Sequence, residues 1–307
     1  MSKTMFNDAA RMALTHYPIG DYALEFLAHG ENVTFRVVNT NGETFLLRLH
    51  RSVSNVFGQK WLKPEVIRSE GVWLKSLRSG TGLVLQEPIY NRFNDFVTEV
   101  KDGDGRPLLS TLLRWTDGAH LKTYTEEWAE TLGVIVGRMQ KFATDWEAPD
   151  GFVRRRWDWD RFWSRLSDLQ KAVKLGTVSE KQCEFFEVAL KRLQLVMNDL
   201  EDTADLWGMI HADLHRDNFL IYEDEIRPID FSLCGFGYYL YEVADTMRYI
   251  ESEFHLAFVQ GYKQHMRLPQ NYQQIIEAFF IAGATSNHAF LAHNPMDFGH
   301  LSKKVKE

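Results

Sequence analysis

Cysteine is almost absent from this chain: only Cys183 and Cys234 are present, far apart in sequence. Two distant cysteines outside any CxxC pair exclude a disulfide-stapled scaffold and a thiolate metal cage. The N-terminal segment, residues 1–17, lacks the apolar core of a signal peptide and is typical of a short amphipathic helix. We therefore expect a protein of the reducing, cytoplasmic compartment.

Long apolar runs and an excess of basic charge are also missing. The most apolar late stretch, residues 278–292, is interrupted by polar residues at 285–288. It falls short of the roughly 20 apolar residues that a membrane span needs. The formal net charge of −7 gives no positive field that would attract nucleic acid. These absences predict a soluble protein that binds neither membrane nor nucleic acid, and they leave the oligomeric state open.

The first third of the chain carries strand and turn signals. The pair Asn41-Gly42 lies between two β-rich runs, which predicts a hairpin. A second hairpin is predicted around residues 102–105, and Pro64 is typical of the first turn of a helix.

After residue 115 the pattern changes to long helices, predicted at residues 126–142, 157–173 and 179–200. The fold class predicted is therefore α+β with two lobes. Residues 1–115 form a β-rich lobe and residues 116–307 form a larger, mainly helical lobe.

The residues that suggest a catalytic function lie in one loop and at the end of one strand. Residues 211–218 read His-Ala-Asp-Leu-His-Arg-Asp-Asn, and Ile-Asp-Phe follows at 229–231 after a short hairpin. Phosphoryl transfer needs a carboxylate that orients the attacking hydroxyl and accepts its proton, and it needs a divalent metal held by oxygen ligands. Asp213 and Asn218, five residues apart, can supply a base and an amide oxygen, and Asp230 can supply an anionic metal ligand. The pattern predicts a kinase.

These residues resemble the catalytic loop and metal motif of the aminoglycoside phosphotransferase and choline kinase-like family, which typically shows H-G-D-L-H-x-x-N followed by I-D-F-D. The resemblance implies that Asp213 is the catalytic base and that Asn218 and Asp230 bind Mg²⁺. It implies that His215 approaches the transferred phosphate. It also implies a bilobal protein-kinase-like fold that binds ATP or GTP between its lobes and a small-molecule hydroxyl acceptor mainly on the helical lobe.

The resemblance extends upstream to the nucleotide site. Residues 29–37 are similar to the family's nucleotide-covering turn, which implies nucleotide contacts from Gly30, Asn32 and Phe35.

Further along the chain, Arg48 takes the place of the strand lysine that contacts the α- and β-phosphates, and Glu70 is the expected ionic partner. Leu113 and Arg114 fit the hinge whose backbone faces the adenine.

Two departures from the family pattern weaken the match. Arg48 is bulkier than lysine and binds phosphate through a planar fork. Ser232 stands where many relatives carry a second Asp. Both departures motivate a second hypothesis, a non-catalytic nucleotide-binding regulator on the same fold. Ala212 for the common Gly is a smaller change.

The acceptor stays open at this point. The resemblance implies an aminoglycoside-like or other amino or sugar alcohol. A housekeeping kinase of homoserine, choline or methylthioribose is the alternative. Acidic residues that can meet ammonium groups are Glu242, Asp245, Glu251 and Glu253.

Two further readings of charged residues remain. The run Arg154-Arg155-Arg156 is expected to be solvated; if it faces the acceptor, it argues against a polyamine. His211, Asp213 and His215 can also be read as the metal cluster of a hydrolase. That reading leaves the hairpin and the two-lobe organisation unexplained.

Overall fold

The computed structural model describes residues 3–30, 32–51, 61–200 and 205–293. The chain divides into two compact units. The first unit contains Met1–Gly118, Pro149–Val153 and Arg227–Ser232, and the second contains Ala119–Ala148, Arg154–Ile226 and Leu233–Glu307. The short segment that carries Asp230 therefore belongs to the first unit, whereas the Asp213 loop belongs to the second.

An antiparallel five-stranded sheet in the order β1-β2-β3-β5-β4 is the frame of the first unit. Both predicted hairpins are present: Gly42 has a φ of 82° in the first turn, and Gly105 has a φ of 78° in the second. In the second turn Asp102 Oδ1 accepts hydrogen bonds from the backbone N–H groups of residues 104 and 106. The strands are β1 (Tyr22–His29), β2 (Val33–Asn39), β3 (Thr44–Leu49), β4 (Thr98–Lys101) and β5 (Pro107–Arg114).

Two helices complete the first unit. Helix α1 (Lys3–Leu14) covers one face of the sheet, and its buried residues share an apolar core with β2 and β3. Helix α2 (Pro64–Thr81) begins at the predicted proline and ends at Gly82, whose N–H donates to the carbonyl of Arg78. The side chain of Glu70 is buried on α2.

The second unit is mainly helical. Side-chain caps begin its longer helices: Thr125 caps α3, Asp158 caps α4, and Ser179 forms a capping box with Gln182 on α5. The prediction that the second of these helices starts at residue 157 was wrong by two residues, because Trp157 ends a short strand. The helices are α3 (Glu126–Asp145), α4 (Trp159–Lys174), α5 (Glu180–Asn198), α6 (Tyr239–Met247), α7 (His255–Lys263) and α8 (Tyr272–His293).

Short strands carry the chain to and from the Asp213 loop. Strand β10 pairs with β7 antiparallel and with β6 in parallel, while β8 and β9 form a separate hairpin. The strands are β6 (Arg155–Trp157), β7 (Trp207–Ile210), β8 (Phe219–Tyr222), β9 (Glu225–Pro228) and β10 (Gly235–Tyr238).

Helix α8 is long and apolar enough, by length and composition, to cross a membrane. It is longer than the apolar stretch 278–292 from which the sequence argument started. Its Phe279 packs on Phe162 and Tyr241, with ring centroids 6.4 Å and 5.9 Å away, respectively. The side chains of Phe279, Ala282 and Ala289 are fully buried. The helix thus contributes to the core of the second unit.

A buried hydrogen-bond network joins α3, α6 and α7 to the end of β7. One oxygen of Glu242 accepts from the backbone N–H groups of His211 and Ala212, at 2.6 Å and 3.0 Å. Its other oxygen accepts from Gln140 Nε2 at 2.9 Å, and the Tyr262 hydroxyl donates to Gln140 Oε1 at 2.6 Å. The carboxylate is 1% exposed. Glu242 therefore fixes the first two residues of the loop that carries Asp213.

Glu242 gives the stability of the protein a pH dependence of defined sign. Burial raises its pKa from the ordinary value of 4.5 to about 7, against the lowering effect of its hydrogen bonds. Between these two values the folded state holds a proton that the unfolded chain has released. The free energy of unfolding should therefore fall as pH rises from about 4.5 to about 7 and level off above that.

The measurement is urea unfolding of the wild type and Glu242→Gln at pH 5, 6, 7 and 8. The glutamine does not titrate, so the wild-type free energy of unfolding minus that of the variant should decrease between pH 5 and pH 8. A difference that does not change with pH would contradict the assignment.

Candidate active site

The loop at residues 211–218 follows β7 and turns sharply at Ala212, whose φ is 64°. A side chain makes this left-handed conformation unfavourable by roughly 1–2 kcal/mol, which explains why the family motif typically has glycine there. The two hydrogen bonds from Glu242 hold the backbone in this turn. Because of this turn, the side chain of Asp213 is 31% exposed, whereas both residues before it are buried.

Asn218 fixes the carboxylate of Asp213. Its side-chain Nδ2 donates to the carbonyl oxygen and to Oδ2 of Asp213, both at 2.8 Å. His215 lies beside the same group, with Nε2 3.6 Å from Asp213 Oδ1 and Nδ1 3.6 Å from Asp217 Oδ2. The structure therefore brings three of the predicted residues, Asp213, His215 and Asn218, into one cluster.

The orientation of Asn218 suits a metal ligand. A carboxylate can only accept hydrogen bonds, so the amide nitrogen must face Asp213 and the amide oxygen must point the other way. Asn218 is 9% exposed. In the first unit Asp230 offers a carboxylate that is 46% exposed. The amide oxygen and the carboxylate are each of a donor type that Mg²⁺ prefers.

Asp230 is held in place by backbone and side-chain contacts of the first unit. It has a left-handed φ of 58°, and its N–H donates to Gln86 Oε1 at 3.1 Å. Arg48 Nη1 lies 3.8 Å from Asp230 Oδ1, and Arg48 Nη2 lies 2.5 Å from Glu70 Oε1. The ion pair expected between Arg48 and Glu70 is present, and both side chains are buried. One guanidinium therefore faces two acids.

The two faces of β2 and β3 separate Arg48 from Phe35. Thr34 pairs with Arg48 across the sheet, whereas Phe35 pairs with Leu47. Phe35 is fully buried in the core under α1. Because directly paired residues share a face, Thr34 and Arg36 lie on the Arg48 face and Phe35 lies on the opposite one. The predicted nucleotide contact from Phe35 cannot therefore come from its side chain, which faces the core.

Gly30 and Asn32 lie in the turn between β1 and β2. The N–H of Gly30 donates to the carbonyl of Asn32 at 3.0 Å. Glu31, in the middle of the turn, lies outside the described residues. A side chain at Gly30 would meet no atom within 4 Å in the part of the chain described, so packing alone does not require glycine there.

Leu113 and Arg114 lie inside β5 rather than in a free hinge. Leu113 pairs with Leu46 on β3, and the N–H of Arg114 donates to the carbonyl of Glu87 at 2.8 Å. The Arg114 side chain forms ion pairs with Glu43 and Glu87, each at 3.2 Å. Both residues therefore take part in the pairing of β5, and their role as the hinge stays a prediction.

Other charged residues also differ from expectation. Arg154 and Arg155 are buried rather than solvated, and Arg154 Nε donates to the carbonyl of Cys234 at 2.7 Å. Asp245 is 8% exposed and lies 3.5 Å from Arg248. Together with the buried Glu242, this leaves only Glu251 and Glu253 exposed among the four acids considered for ammonium binding.

The hydrolase reading finds no support in the geometry. Across residues 3–30, 32–51, 61–200 and 205–293, no three His, Cys, Asp or Glu side chains come together as a metal-binding group. His211 is buried at the start of the loop, under the hydrogen bond to Glu242.

Sequence reasoning missed two positioning residues, Glu242 and Gln86. The sequence suggests Glu242 only as an acid that can meet an ammonium group of the acceptor, and nothing in the pattern around Gln86 marks it. The alternation of β2 relative to Arg48 is a sequence signal that assigns Thr34 and Arg36 to the Arg48 face and Phe35 to the opposite face.

The known proteins similar to this chain include several small-molecule kinases. The chain is 23% identical over 315 residues to amicoumacin kinase of Bacillus subtilis (strain 168), covering 96% of this chain and 87% of that protein. A microcompartment-associated aminopropanol kinase superposes with a TM-score of 0.78 at 25% identity, covering 96% and 93% of the two chains. An amicoumacin kinase in complex with AMP-PNP, Ca²⁺ and Ami superposes with a TM-score of 0.79 at 19% identity, covering 100% and 93%.

A model of the phosphotransferase enzyme family matches residues 23–275, which include every predicted site residue. The match covers well over half of the chain. The chain therefore belongs to the phosphotransferase enzyme family, as an enzyme of its small-molecule kinase type with a protein-kinase-like fold.

Proposed function

We propose that this enzyme transfers the γ-phosphate of ATP or GTP to a hydroxyl of a small-molecule acceptor in the cytoplasm. The β-rich part of the chain would bind the nucleotide and the helical part the acceptor. The observation that carries the proposal is the Asp213 carboxylate, which is partly exposed and is fixed by Asn218 and by the backbone that Glu242 holds. A base needs this combination of access and fixed orientation.

In the reaction, Asp213 orients the acceptor hydroxyl and takes its proton as the oxygen attacks the γ-phosphorus. The bond between the γ-phosphorus and the bridging oxygen breaks, and the nucleoside diphosphate leaves with that oxygen. His215, beside Asp213, is placed to donate to a phosphate oxygen. Asn218 and Asp230 would hold Mg²⁺, which neutralises charge on the phosphates when it is bound.

Arg48 supplies positive charge for the nucleotide phosphates. Glu70 occupies one side of its guanidinium and so fixes its position. The planar fork of arginine can hold Glu70 and still present other N–H groups to phosphate, which a lysine ammonium does less well.

A nucleotide-binding regulator remains the second candidate, because Ser232 removes one acid next to Asp230. The N–H of Ser232 lies 3.4 Å from Asp230 Oδ1, so a backbone donor meets the remaining acid. The regulator would bind nucleotide without turnover stimulated by any acceptor.

Substitutions of Asp213 and Asp230 should have different effects on turnover and on nucleotide affinity. Asp213→Ala should lower turnover by about 10²- to 10⁴-fold, the usual contribution of a general base, with nucleotide affinity nearly unchanged. Asp230→Ala should also lose the metal-dependent part of nucleotide affinity. Nucleotide consumption and titration of AMP-PNP with and without Mg²⁺ measure both effects. Asp217→Ala, whose side chain is 71% exposed, is the matched control and should retain turnover. Equal turnover of Asp213→Ala and wild type would refute the assignment of the base.

Substitutions of Arg48 and Glu70 test the stability of the protein and its nucleotide binding separately. Arg48→Met leaves Glu70 as a buried acid without its ion-pair partner, which should lower the free energy of unfolding by about 3–5 kcal/mol. Arg48→Met/Glu70→Leu should recover most of that stability because both charges are gone.

The double variant should still bind nucleotide poorly, since the phosphate contact is missing. Urea unfolding and AMP-PNP titration check the two quantities. Wild-type nucleotide affinity in the stable double variant would exclude Arg48 as a phosphate ligand.

A further inference from the structure

The ring of Tyr249, just after the end of α6, packs on the imidazole of His215. The two ring centroids lie 5.1 Å apart, and the ring planes are tilted by 39°. The same imidazole lies beside the proposed base, with Nε2 3.6 Å from Asp213 Oδ1. The His215 side chain is only 22% exposed, so the tyrosine ring is one of the neighbours that limit its movement. All three residues belong to the second unit.

The hydrogen bonds of the loop assign the proton of the His215 ring. The backbone N–H of Asp217 donates to His215 Nδ1 at 3.3 Å, so Nδ1 is an acceptor and the neutral ring carries its proton on Nε2. Asn218 Nδ2 lies 3.2 Å from Nε2, but its two N–H groups are accounted for by the two oxygens of Asp213 that accept from it. The N–H of His215 that faces the proposed base is therefore Nε2–H, and its direction depends on the orientation of the ring.

An ion pair of α6 anchors the hydroxyl of Tyr249. Arg248 Nη2 donates to this hydroxyl at 3.1 Å, and Arg248 Nη1 lies 3.5 Å from Oδ1 of the buried Asp245. Helix α8 fits closely against the pair, since a Cβ atom at Gly283 would lie 2.8 Å from Arg248 Nη1. The guanidinium is thus confined by Asp245 and by α8, and it gives the tyrosine hydroxyl a fixed donor.

The backbone around Tyr249 is held as well. His255 Nε2 lies 3.0 Å from the carbonyl oxygens of Met247 and Ile250. Carbonyl oxygens only accept, so this nitrogen is the donor to both. The N–H of Tyr249 itself donates to the carbonyl of Thr246 at 3.1 Å. Tyr249 is therefore fixed at its backbone and at its hydroxyl, and its ring meets His215 between these two points.

We propose that Tyr249 is a positioning residue for phosphoryl transfer: its ring, anchored through Arg248, holds the His215 imidazole so that Nε2–H points to the reacting groups. The inference rests on the proposed function, because it takes His215 to donate to an oxygen of the transferred phosphate. A donor that is oriented in advance loses no freedom as the transition state forms. Tyr249 acts on the reaction through His215 and not through a contact with either substrate.

A double-mutant cycle of Tyr249→Leu and His215→Ala tests this role. Nucleotide consumption is measured with ATP and Mg²⁺, using ethanolamine, 1-amino-2-propanol, L-homoserine and kanamycin in turn as acceptor. With the acceptor that gives the highest turnover, Tyr249→Leu should lower kcat by ~10-fold, since leucine fills the space without holding the ring. Both KM values should stay within ~2-fold, because no substrate contact is lost. In the His215→Ala background, Tyr249→Leu should change kcat by less than ~2-fold.

Two further variants separate orientation from stability. Tyr249→Phe keeps the ring and loses only the hydrogen bond to Arg248, so kcat should stay within ~5-fold of wild type. Tyr90→Leu is the matched control: this tyrosine is 37% exposed and stacks on Phe96 in the first unit, with ring centroids 4.2 Å apart. Tyr90→Leu should leave kcat unchanged, even where its Tm falls as far as that of Tyr249→Leu.

NMR of protein with ¹³C-labelled histidine gives a readout that needs no acceptor. The Cε1–H resonance of His215 is identified by its loss in His215→Ala. Since the Tyr249 ring lies close to the imidazole, its ring current contributes to the position of this resonance. Tyr249→Leu should shift it more than any other histidine resonance, and Tyr249→Phe should leave it near its wild-type position.

Several results would overturn the inference. One is a wild-type kcat in Tyr249→Leu, and another is a rise in the KM of the acceptor at constant kcat. A loss of kcat that is equally large in the His215→Ala background would also refute it, because Tyr249 would then act without His215. An unmoved His215 resonance would contradict the packing itself. Absence of turnover with all four acceptors would instead count against the proposed function, and the resonance would still decide whether Tyr249 orients the imidazole.

Discussion

The loop that carries Asp213 depends on one buried carboxylate. In the described part of the chain, the Glu242 oxygens accept hydrogen bonds from two backbone N–H groups at the start of the loop and from the side chain of Gln140. Without the acid, both amides would be buried and unsatisfied, at about 1–3 kcal/mol each. The strained φ at Ala212 is maintained because the hydrogen bonds to Glu242 hold the backbone N–H groups of residues 211 and 212 in place. A helix that begins at Tyr239, 21 residues after the end of the loop at residues 211–218, thus determines where the proposed base points.

Local chemistry explains what could be predicted from the sequence. The Asn41-Gly42 turn, the proline that begins α2 and the Ser179 capping box each act within a few residues, so the sequence identifies them directly. The Asp213–Asn218 contact is equally local, because it closes one loop. Glu242 and Gln86 act across 31 and 144 residues, and only the fold brings them to their partners. The error at Phe35 is different, since strand alternation from Arg48 would have assigned it to the core face.

The two departures from the family pattern act on the same carboxylate. Arg48 reaches both Glu70 and Asp230, and Ser232 offers Asp230 a backbone N–H where relatives carry a second acid. Ser232 makes the surroundings of Asp230 less negative, whereas Arg48 keeps the single positive charge of the usual lysine. A less negative site binds a divalent cation less tightly but repels nucleotide phosphates less. Asp213, the proposed base for the acceptor hydroxyl, is retained, so these departures bear on nucleotide and metal binding rather than on proton transfer.

The charged groups of the second unit fall into two classes. Arg165 with Asp168 and Arg248 with Asp245 are compensated within the protein, and they rigidify the helices that carry them. Arg161 is compensated by none of its described neighbours, yet the ring of Trp157 holds it in place.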